Sequence, residues 1–189
     1  PCDYEEAKKA TLAVAGNGKP SYLRLSRQES PVISTPLRQG SAGQEFEIGK
    51  INVLKYAEKP QVAIIGCGPI LAEALDASKI LKNQEIDVMV INSHTIKPLD
   101  EAGILKAAKL CGAIVTCEEH QIAGGLGSAI AEFLAKKHPV PIEFIGVHDS
   151  FGESARDWKE LWEKDGLTSK YIENAVRRVI VRKADNINI

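Results

Sequence analysis

The chain has 189 residues, of which 44% are hydrophobic and 26% are charged, as expected for a globular protein with one sealed core and some additional elements. The 24 Lys and Arg residues nearly balance the 25 Asp and Glu residues, and a formal net charge of -1 gives no field that would attract nucleic acid or an anionic membrane. Because no apolar run reaches the roughly 18 residues of a membrane span and the N-terminal region is charged, we predict no membrane span, no secretory signal and a cytoplasmic location.

The first elements in chain order are a helix and a strand. Asp3 is a typical N-cap residue with an acidic residue three positions later, and the pattern predicts a helix over residues 3–15 that ends at Gly16. Alternating side chains predict a strand over residues 21–26. Since the chain lacks an initial methionine and opens within this helix, we expect a fragment or a trimmed chain, in which both elements complete an upstream domain.

Regular periodicity disappears over residues 28–49, where Ser, Pro, Gly and Gln dominate. Four breakers of helices and strands interrupt this stretch: Pro31, Pro36, Gly40 and Gly43. The composition predicts an interdomain linker over residues 28–49, which separates residues 1–27 from a larger unit over residues 50–189.

Strands and helices alternate in the larger unit. Four apolar runs are typical of strands that are buried on both faces of a parallel sheet, and they lie at residues 62–66, 88–91, 113–116 and 142–145. Apolar residues at helical spacing predict three helices, one through Leu71, Ala74, Leu75 and Leu81, one through Leu126, Ile130, Phe133 and Leu134, and one through Ile172, Val176, Val179 and Ile180. We therefore predict an α/β fold, with a doubly wound, mostly parallel sheet and helices on both faces.

Neither the cysteines nor the histidines form a recognisable motif. The four cysteines, Cys2, Cys67, Cys111 and Cys117, have no paired spacing. Three of the four lie in apolar surroundings that are typical of buried reduced thiols. The histidines lack the spacing of helical or zinc-knuckle ligands, and they are His94, His120, His138 and His148. We therefore predict no metal site.

Two turns that contain glycines could hold an anion. The first, residues 66–69, follows a predicted strand but lacks the third glycine of a dinucleotide fingerprint, which favours a structural tight turn. In the second, Gly124, Gly125 and Gly127 open a helix, where free N–H groups and the helix dipole could bind an anion. The same glycines could instead allow close packing, either within the domain or across a subunit interface.

Three charged residues, Glu118, Glu119 and His120, come immediately before the second turn. They could act as acid–base groups, but a carboxylate beside an imidazole is commonly just a satisfied hydrogen-bonded pair. Since no nucleophile lies nearby in the sequence, we assign no catalytic residue to this chain.

Arg27 lies between Ser26 and Gln28 at the end of the predicted strand, which places a guanidinium fork, a hydroxyl and an amide within three residues. Together these groups suit a phosphate. A solvated arginine or a surface ion pair is the alternative, and composition alone favours it.

Five segments resemble the transketolase family in their order along the chain, and they are residues 25–28, 66–68, 96–100, 118–120 and 124–127. The resemblance extends from about Asp3 to about Val181. It implies that residues 1–27 end the pyrimidine-binding domain and that residues 50–189 form the transketolase C-terminal domain. Arg27 then falls on the family arginine that binds the phosphate of the sugar substrate, and Ser26 beside it is implied as a second substrate-binding residue.

The resemblance also implies an activity, namely the transfer of a two-carbon ketol unit between phosphorylated sugars with thiamine diphosphate and magnesium as cofactors. The family's Gly-Asp-Gly signature and its essential glutamate are missing from this sequence, so we expect that the chain alone binds neither cofactor and is inactive. Because the family's active site forms between two subunits, we expect a homodimer that includes the remainder of the transketolase. Interface or anion-binding candidates are Glu119, His120, Gly124, Gly125 and Gly127.

Other functions remain open at this point. Pyruvate dehydrogenase beta subunits and deoxyxylulose-phosphate synthases share this C-terminal fold, although the Ser-Arg-Gln segment favours transketolase. A free-standing binding or regulatory module could instead use the turn at Gly66 or Gly124 for a nucleotide or another anion. An open reading frame that continues upstream into a pyrimidine-binding domain would favour the transketolase interpretation.

Overall fold

The computed structural model describes residues 1–34 and 46–187. Within these ranges the strands are β1 (Asn52–Lys55), β2 (Val62–Cys67), β3 (Val88–Asn92), β4 (Ile114–Gln121) and β5 (Ile142–Val147). The helices are α1 (Tyr4–Gly16), α2 (Leu71–Lys82), α3 (Glu101–Cys111), α4 (Leu126–Lys137), α5 (Trp158–Lys164) and α6 (Ser169–Ile187). None of these helices combines the length and the apolar character that a membrane crossing needs.

The strands form one sheet in the order β1-β3-β2-β4-β5. β2, β3, β4 and β5 are parallel to one another, whereas β1 pairs with β3 in the antiparallel direction. The chain leaves β2 through α2 to reach β3 and then crosses back through α3 to β4, so the direction of winding reverses between β2 and β4. The predicted fold class, a mostly parallel α/β sheet, is confirmed.

Apolar side chains cover both faces of the sheet. Ile64 points to the face that is covered by α2, α5 and α6, where Leu71 and Val176 lie in the same buried cluster. Its neighbour Ile65 points to the opposite face, which α3 and α4 cover with Ile104 and Ile130. Successive residues of a strand alternate between faces, so a continuous apolar run such as β2 serves both layers of the core.

The structure contradicts one local prediction and leaves two untested. The segment 21–26, predicted as a strand, belongs to no sheet in the structure, so that prediction is wrong. A strand needs a neighbour for its backbone hydrogen bonds, and this segment has none among the described residues. The predicted linker 28–49 is described only at its two ends, residues 28–34 and 46–49. Three of its breakers, Pro36, Gly40 and Gly43, therefore lie outside the described residues. The division into residues 1–27, 28–49 and 50–189 stays a prediction.

Helix α1 is attached to the sheet through its first turn. Asp3 caps the helix by accepting the N–H of Glu6 at 2.9 Å, as the sequence predicts. The buried Glu6 carboxylate accepts the Asn92 amide at 2.6 Å and the N–H of Cys2 at 2.7 Å. Since Asn92 ends β3, these bonds fix the first turn of α1 at the carboxyl end of that strand. Farther along the helix, Leu12 is exposed.

The Asp3 carboxylate also ties the helix to the segment that follows it. It accepts the N–H groups of Ile33 and Ser34, both at 2.6 Å, and the Ser34 hydroxyl at 2.7 Å. Burial alone would raise the pKa of Asp3, but the hydrogen bonds from Glu6, Ser34 and Ile33 outweigh that effect and lower the pKa below its ordinary value.

We expect Asp3 to make the stability of the chain depend on pH. Because the pKa of Asp3 is lowered by folding, its ionised carboxylate stabilises the fold at neutral pH, and this contribution is lost as the pH falls below about 4 and through the lowered pKa. Urea unfolding of the wild-type chain and of Asp3→Asn between neutral and acidic pH measures the effect. The advantage of the wild type should shrink toward acid, and a difference that stays constant would contradict this role.

Candidate functional site

The candidate residues lie at the carboxyl ends of the parallel strands, which is the edge where α/β proteins usually bind ligands. The end of β4 carries Glu118, Glu119 and His120. Pairing between β4 and β5 is irregular from Cys117 to Gln121, so these residues lie where the sheet departs from its regular register. Irregular pairing of this kind changes the direction of side chains, and it commonly occurs next to functional sites.

Glu118 is buried and closes the N-terminus of α4. Its two carboxylate oxygens accept the N–H groups of Leu126 and Gly127, both at 2.8 Å. A carboxylate at this position satisfies donors that the helix leaves unpaired, and it also interacts favourably with the helix dipole. These N–H groups, which the sequence suggested as an anion site, therefore already have a carboxylate partner from the same chain.

The glycines of this turn are needed for close packing inside the domain. A Cβ atom on Gly125 would overlap the Glu118 carboxylate and would lie 2.7 Å from the backbone oxygen of Gln121. A Cβ atom on Gly127 would lie 2.6 Å from the Thr116 hydroxyl oxygen. Gly124 has a φ of 80°, in the left-handed region that favours glycine. The structure thus gives a local reason for each glycine, and their predicted role in a subunit interface stays a prediction.

Glu119 connects the end of β4 to the segment that contains Arg27. Its Oε2 atom accepts the side-chain amide of Gln28 at 2.7 Å, and its backbone oxygen accepts Nη1 of Arg24 at 2.9 Å. Since residues 24 and 28 flank Arg27, both ends of this short segment are bound to Glu119.

His120 is half exposed, and the described residues offer it no acid–base partner at hydrogen-bond distance. Its Nδ1 atom lies 2.9 Å from the backbone oxygen of Gln121, which fits an N–H at that position, and 4.0 Å from the Glu118 carboxylate. In this geometry the Glu118 carboxylate bonds to the N–H groups of α4 and not to the imidazole of His120. Among the residues that the structure describes, there is no group of three His, Cys, Asp or Glu side chains with the arrangement of a metal site.

Arg27 is exposed, and its guanidinium makes no hydrogen bond or ion pair with any residue in the described ranges. The neighbouring Ser26 hydroxyl donates a hydrogen bond to Oε1 of Gln28. None of the five donors of Arg27 is used by the described part of the chain, and their planar fork matches a phosphate or a carboxylate.

The thiols near this edge are not poised as nucleophiles. Burial, together with the nearby Glu118 carboxylate, raises the pKa of the Cys67 thiol to about 12. Burial, together with nearby Cys67 and Glu118, also raises the pKa of the Cys117 thiol. Both groups are therefore protonated at neutral pH, and a thiol is a much weaker nucleophile than a thiolate.

The turn after β2 has a structural explanation as well. Gly68 has a φ of 80°, and its carbonyl accepts the N–H of Leu71 at 3.2 Å, while the N–H of Ala72 bonds to Pro69 at 3.0 Å. A Cβ atom on Gly66 would lie 2.8 Å from the backbone oxygen of Cys117 on the adjacent strand. The turn thus closes through its own backbone bonds, in agreement with the structural interpretation of its sequence.

Sequence reasoning did not identify Arg24 as a functional residue, nor the pairing of Gln28 with Glu119. These partners are 95 and 91 positions apart, and no local pattern connects them. The sequence indicates only that Gln28 and Glu119 both belong to segments that resemble one family. Their proximity becomes visible only in the folded chain.

Comparisons with known proteins identify the family of this chain. Residues 49–172 match the family model of the transketolase C-terminal domain. A 6-deoxy-6-sulfo-D-fructose transketolase subunit of Clostridium sp. (strain MSTE9) is 40% identical over 184 residues, which cover 97% of this chain and 54% of the relative. Human transketolase is 30% identical over 185 residues, which cover 96% of this chain and 28% of the relative. The chain therefore spans about half, or less, of the length of these curated relatives.

Two solved structures are also similar. A split-gene transketolase described as an inactive beta4 tetramer superposes with a TM-score of 0.88 at 37% identity, over 97% of this chain and 57% of the other. Transketolase from Leishmania mexicana, at 21% identity and a TM-score of 0.54 over 71% of this chain and 18% of the other, shares the fold. Because the family model covers more than half of its residues, this chain belongs to the transketolase C-terminal domain family.

Proposed function

We propose that this chain is the C-terminal part of a transketolase, which transfers a two-carbon ketol unit between phosphorylated sugars, and that it contributes Arg27 to substrate binding. The observation that carries this proposal is the exposed guanidinium of Arg27, on a segment whose flanking residues are bound to the end of β4. The transketolase names of relatives that align with nearly the whole chain support the assignment.

In this role Arg27 binds and orients the substrate, and it takes no part in making or breaking bonds. Its fork donates two parallel hydrogen bonds to the terminal phosphate, which fixes that end of the sugar and its charge. Since the phosphate is distant from the reacting carbons, it is bound equally well before and during the reaction, and the contact lowers KM rather than raising kcat.

The terminal group could also be a sulfonate, because a guanidinium fork recognises any tetrahedral oxyanion. The 40% identical relative from Clostridium is named for a 6-deoxy-6-sulfo-D-fructose substrate, and this name favours a sulfonated sugar as a second candidate substrate. What the two candidates share is an anionic tetrahedral group at the end of the sugar.

Three sugars with the same carbon skeleton test this proposal in the complete enzyme, one ending in phosphate, one in sulfonate and one in a hydroxyl. We expect KM to be about ten- to a hundredfold lower for the preferred anionic sugar than for the neutral one, as a charge-assisted contact of roughly 1.5–3 kcal/mol requires. The comparison of phosphate with sulfonate identifies the natural anion. Equal KM values for all three sugars would contradict an anion contact.

Thiamine diphosphate, with magnesium, would supply the stabilised carbanion chemistry of ketol transfer. The donors described here do not fit its diphosphate, because the N-terminal N–H groups of α4 are bonded to Glu118 and the turn after β2 is closed by its own backbone. We propose that both cofactors are held by the remainder of the enzyme, outside this chain.

The cofactor proposal predicts that this chain alone shows no heat of binding when it is titrated with thiamine diphosphate and magnesium. Isothermal titration calorimetry checks it, with the complete enzyme as the positive control. Saturable binding by the isolated chain at micromolar cofactor would contradict the proposal that the cofactors are held outside this chain.

The proposed partners are the thiamine diphosphate-binding domains and, in a homodimer, a second copy of the assembly. The similar split-gene structure supports a partner on a separate polypeptide as one arrangement. Two exposed apolar side chains near the end of β4, Leu25 and Phe151, also support a partner. Leu25 lies between the two residues that bind Glu119. Phe151 follows Ser150, whose backbone oxygen accepts the side-chain amide of Gln121. We propose that this surface is covered in the complete enzyme, with residues 1–27 completing the pyrimidine-binding domain.

A further inference from the structure

We propose that Glu119 is a positioning residue, through which the C-terminal domain holds Arg27 in its binding geometry. This role rests on the proposed contact between Arg27 and the anionic end of the substrate. It assigns a task in substrate binding to the domain after the linker. The observation that carries it is a pair of hydrogen bonds that converge on one residue from both sides of Arg27.

The two bonds act as anchors on either side of a short segment. Arg24 donates to the backbone oxygen of Glu119 at 2.9 Å, and Gln28 donates to its carboxylate at 2.7 Å. Only three residues separate these anchors, and Arg27 is one of them. The carboxylate bond is charge-assisted, which makes it shorter and stronger than a bond between neutral groups.

Glu119 is itself held firmly, as a positioning residue must be. It is a half-buried residue of β4, and its neighbour Glu118 is buried and bonded to two N–H groups of α4. Gly125, which has no Cβ atom, leaves the space that the Glu118 carboxylate occupies. The start of α4 therefore fixes the end of β4, and the end of β4 in turn fixes the segment that contains Arg27.

The segment itself has little other support. Residues 21–28 form no helix and no strand, so no backbone ladder restrains them. Within residues 1–34 and 46–187, the long-range hydrogen bonds of this stretch start at Arg24 and Gln28, and both end on Glu119. An exposed segment that lacks regular backbone bonding opens locally at low free energy unless side chains restrain it.

Ser26 belongs to the same network and has a different role from the one that its position beside Arg27 suggests. Its hydroxyl donates to Oε1 of Gln28, and Nε2 of Gln28 donates to Glu119. Gln28 is thereby fixed at both ends of its amide. While its proton is directed at Gln28, the Ser26 hydroxyl offers no donor to a phosphate or sulfonate. We therefore assign Ser26 to positioning rather than to direct contact with the anion.

The first test is kinetic and uses the complete enzyme. Glu119→Ala removes the carboxylate acceptor, and we expect KM for the anionic sugar to rise about three- to tenfold, with kcat within about twofold of wild type. Glu119→Gln keeps an oxygen acceptor for Gln28 and should recover most of the affinity. Glu132→Ala, which removes an exposed glutamate of α4, is the matched control and should change neither constant.

A double variant separates positioning from an independent effect. If Glu119 acts through Arg27, Arg27→Ala combined with Glu119→Ala should show the KM of Arg27→Ala alone, because the second change has nothing left to displace. Additive losses would overturn the positioning role. If Arg27→Ala raises KM and Glu119→Ala does not, the positioning role fails while the proposed function survives. If Arg27→Ala has no effect on KM, the substrate contact itself is wrong, and the positioning role fails with it.

Limited trypsin digestion of the full chain provides a readout that needs no activity. Trypsin cleaves after arginine, so Arg24 and Arg27 report directly on the order of their segment. We expect cleavage at these two sites to be about fivefold faster in Glu119→Ala than in wild type or Glu132→Ala, with unchanged cleavage elsewhere. An equal rate at these sites in all three proteins would overturn the anchoring of the segment by Glu119.

Discussion

Arg27→Ala is expected to raise the KM of the complete enzyme for phosphorylated sugars by about ten- to a hundredfold, because a charge-assisted contact to phosphate contributes roughly 1.5–3 kcal/mol. The kcat value should change little, since the phosphate is bound similarly in the ground and transition states. Arg27→Lys should recover only part of the loss, because an ammonium keeps the charge but lacks the bidentate fork. Steady-state kinetics with a phosphorylated donor measures both constants.

Two controls make this result specific. A neutral sugar should show the same KM with the wild type and with Arg27→Ala, because it lacks the group that the guanidinium binds. Arg156→Ala removes another exposed arginine and should behave as wild type with every sugar. Equal losses for phosphorylated and neutral sugars would show instead that Arg27 has a structural role.

Gly125→Ala is expected to lower the free energy of unfolding by about 2–4 kcal/mol, the sum of overpacking and of weakened bonds between Glu118 and α4. The added Cβ atom would overlap the Glu118 carboxylate and approach a fixed backbone oxygen, that of Gln121, at 2.7 Å. A side chain can turn away, but the backbone of β4 cannot move without disturbing the sheet. Chemical denaturation of the chain measures the change.

Gly152→Ala is the matched control, because nothing lies within 4 Å of the Cβ atom that it adds. It should change the free energy of unfolding by no more than about 0.5 kcal/mol. Comparable effects of both substitutions would contradict the packing role of Gly125. The collision within the domain also means that a bulky residue at Gly125 cannot isolate a subunit contact, since folding and assembly would change together.

Periodicity predicted those parts of the fold that are buried on two sides or along one regular stripe. β2, β3 and β4 contain apolar runs that are buried, and α2, α4 and α6 show apolar residues at helical spacing, most of which are buried. The predicted burial of residues 142–145 on both faces is wrong, because β5 lies at the edge of the sheet and its residues 142–144 are only half-buried. β1 was not predicted, because this edge strand has only four residues, is half-buried throughout and is interrupted by a register shift. Residues 21–26 alternate like a strand but have no neighbour in the described sheet, and alternation alone does not make a strand.

The site was predictable only in its parts. The local sequence identified Arg27, Glu118, Glu119 and the glycines of residues 124–127, because each stands at a junction between elements. The link between them depends on Gln28, which meets Glu119 across 91 positions. Local patterns do not encode such a distance. Nor does a pattern of glycines show that the N–H groups it exposes will be taken by a carboxylate from the preceding strand.

The occupancy of these N–H groups also bears on the alternative of a free-standing nucleotide-binding module. Such a module would need unpaired backbone donors at Gly66 or Gly124 to hold phosphates. At α4 the donors of Leu126 and Gly127 are bonded to Glu118, and the turn after β2 closes on itself. No feature of these two turns favours that alternative over the proposed function.

The central proposal is that this chain is an inactive but necessary part of a transketolase. Ketol transfer measured for the chain alone, for the thiamine diphosphate-binding domains alone and for the two together tests it most directly. The proposal predicts no turnover by either part and turnover by the assembly, with a KM for anionic sugars that depends on Arg27. Turnover by the chain alone, or an undiminished rate for the cofactor-binding domains without it, would contradict the proposal.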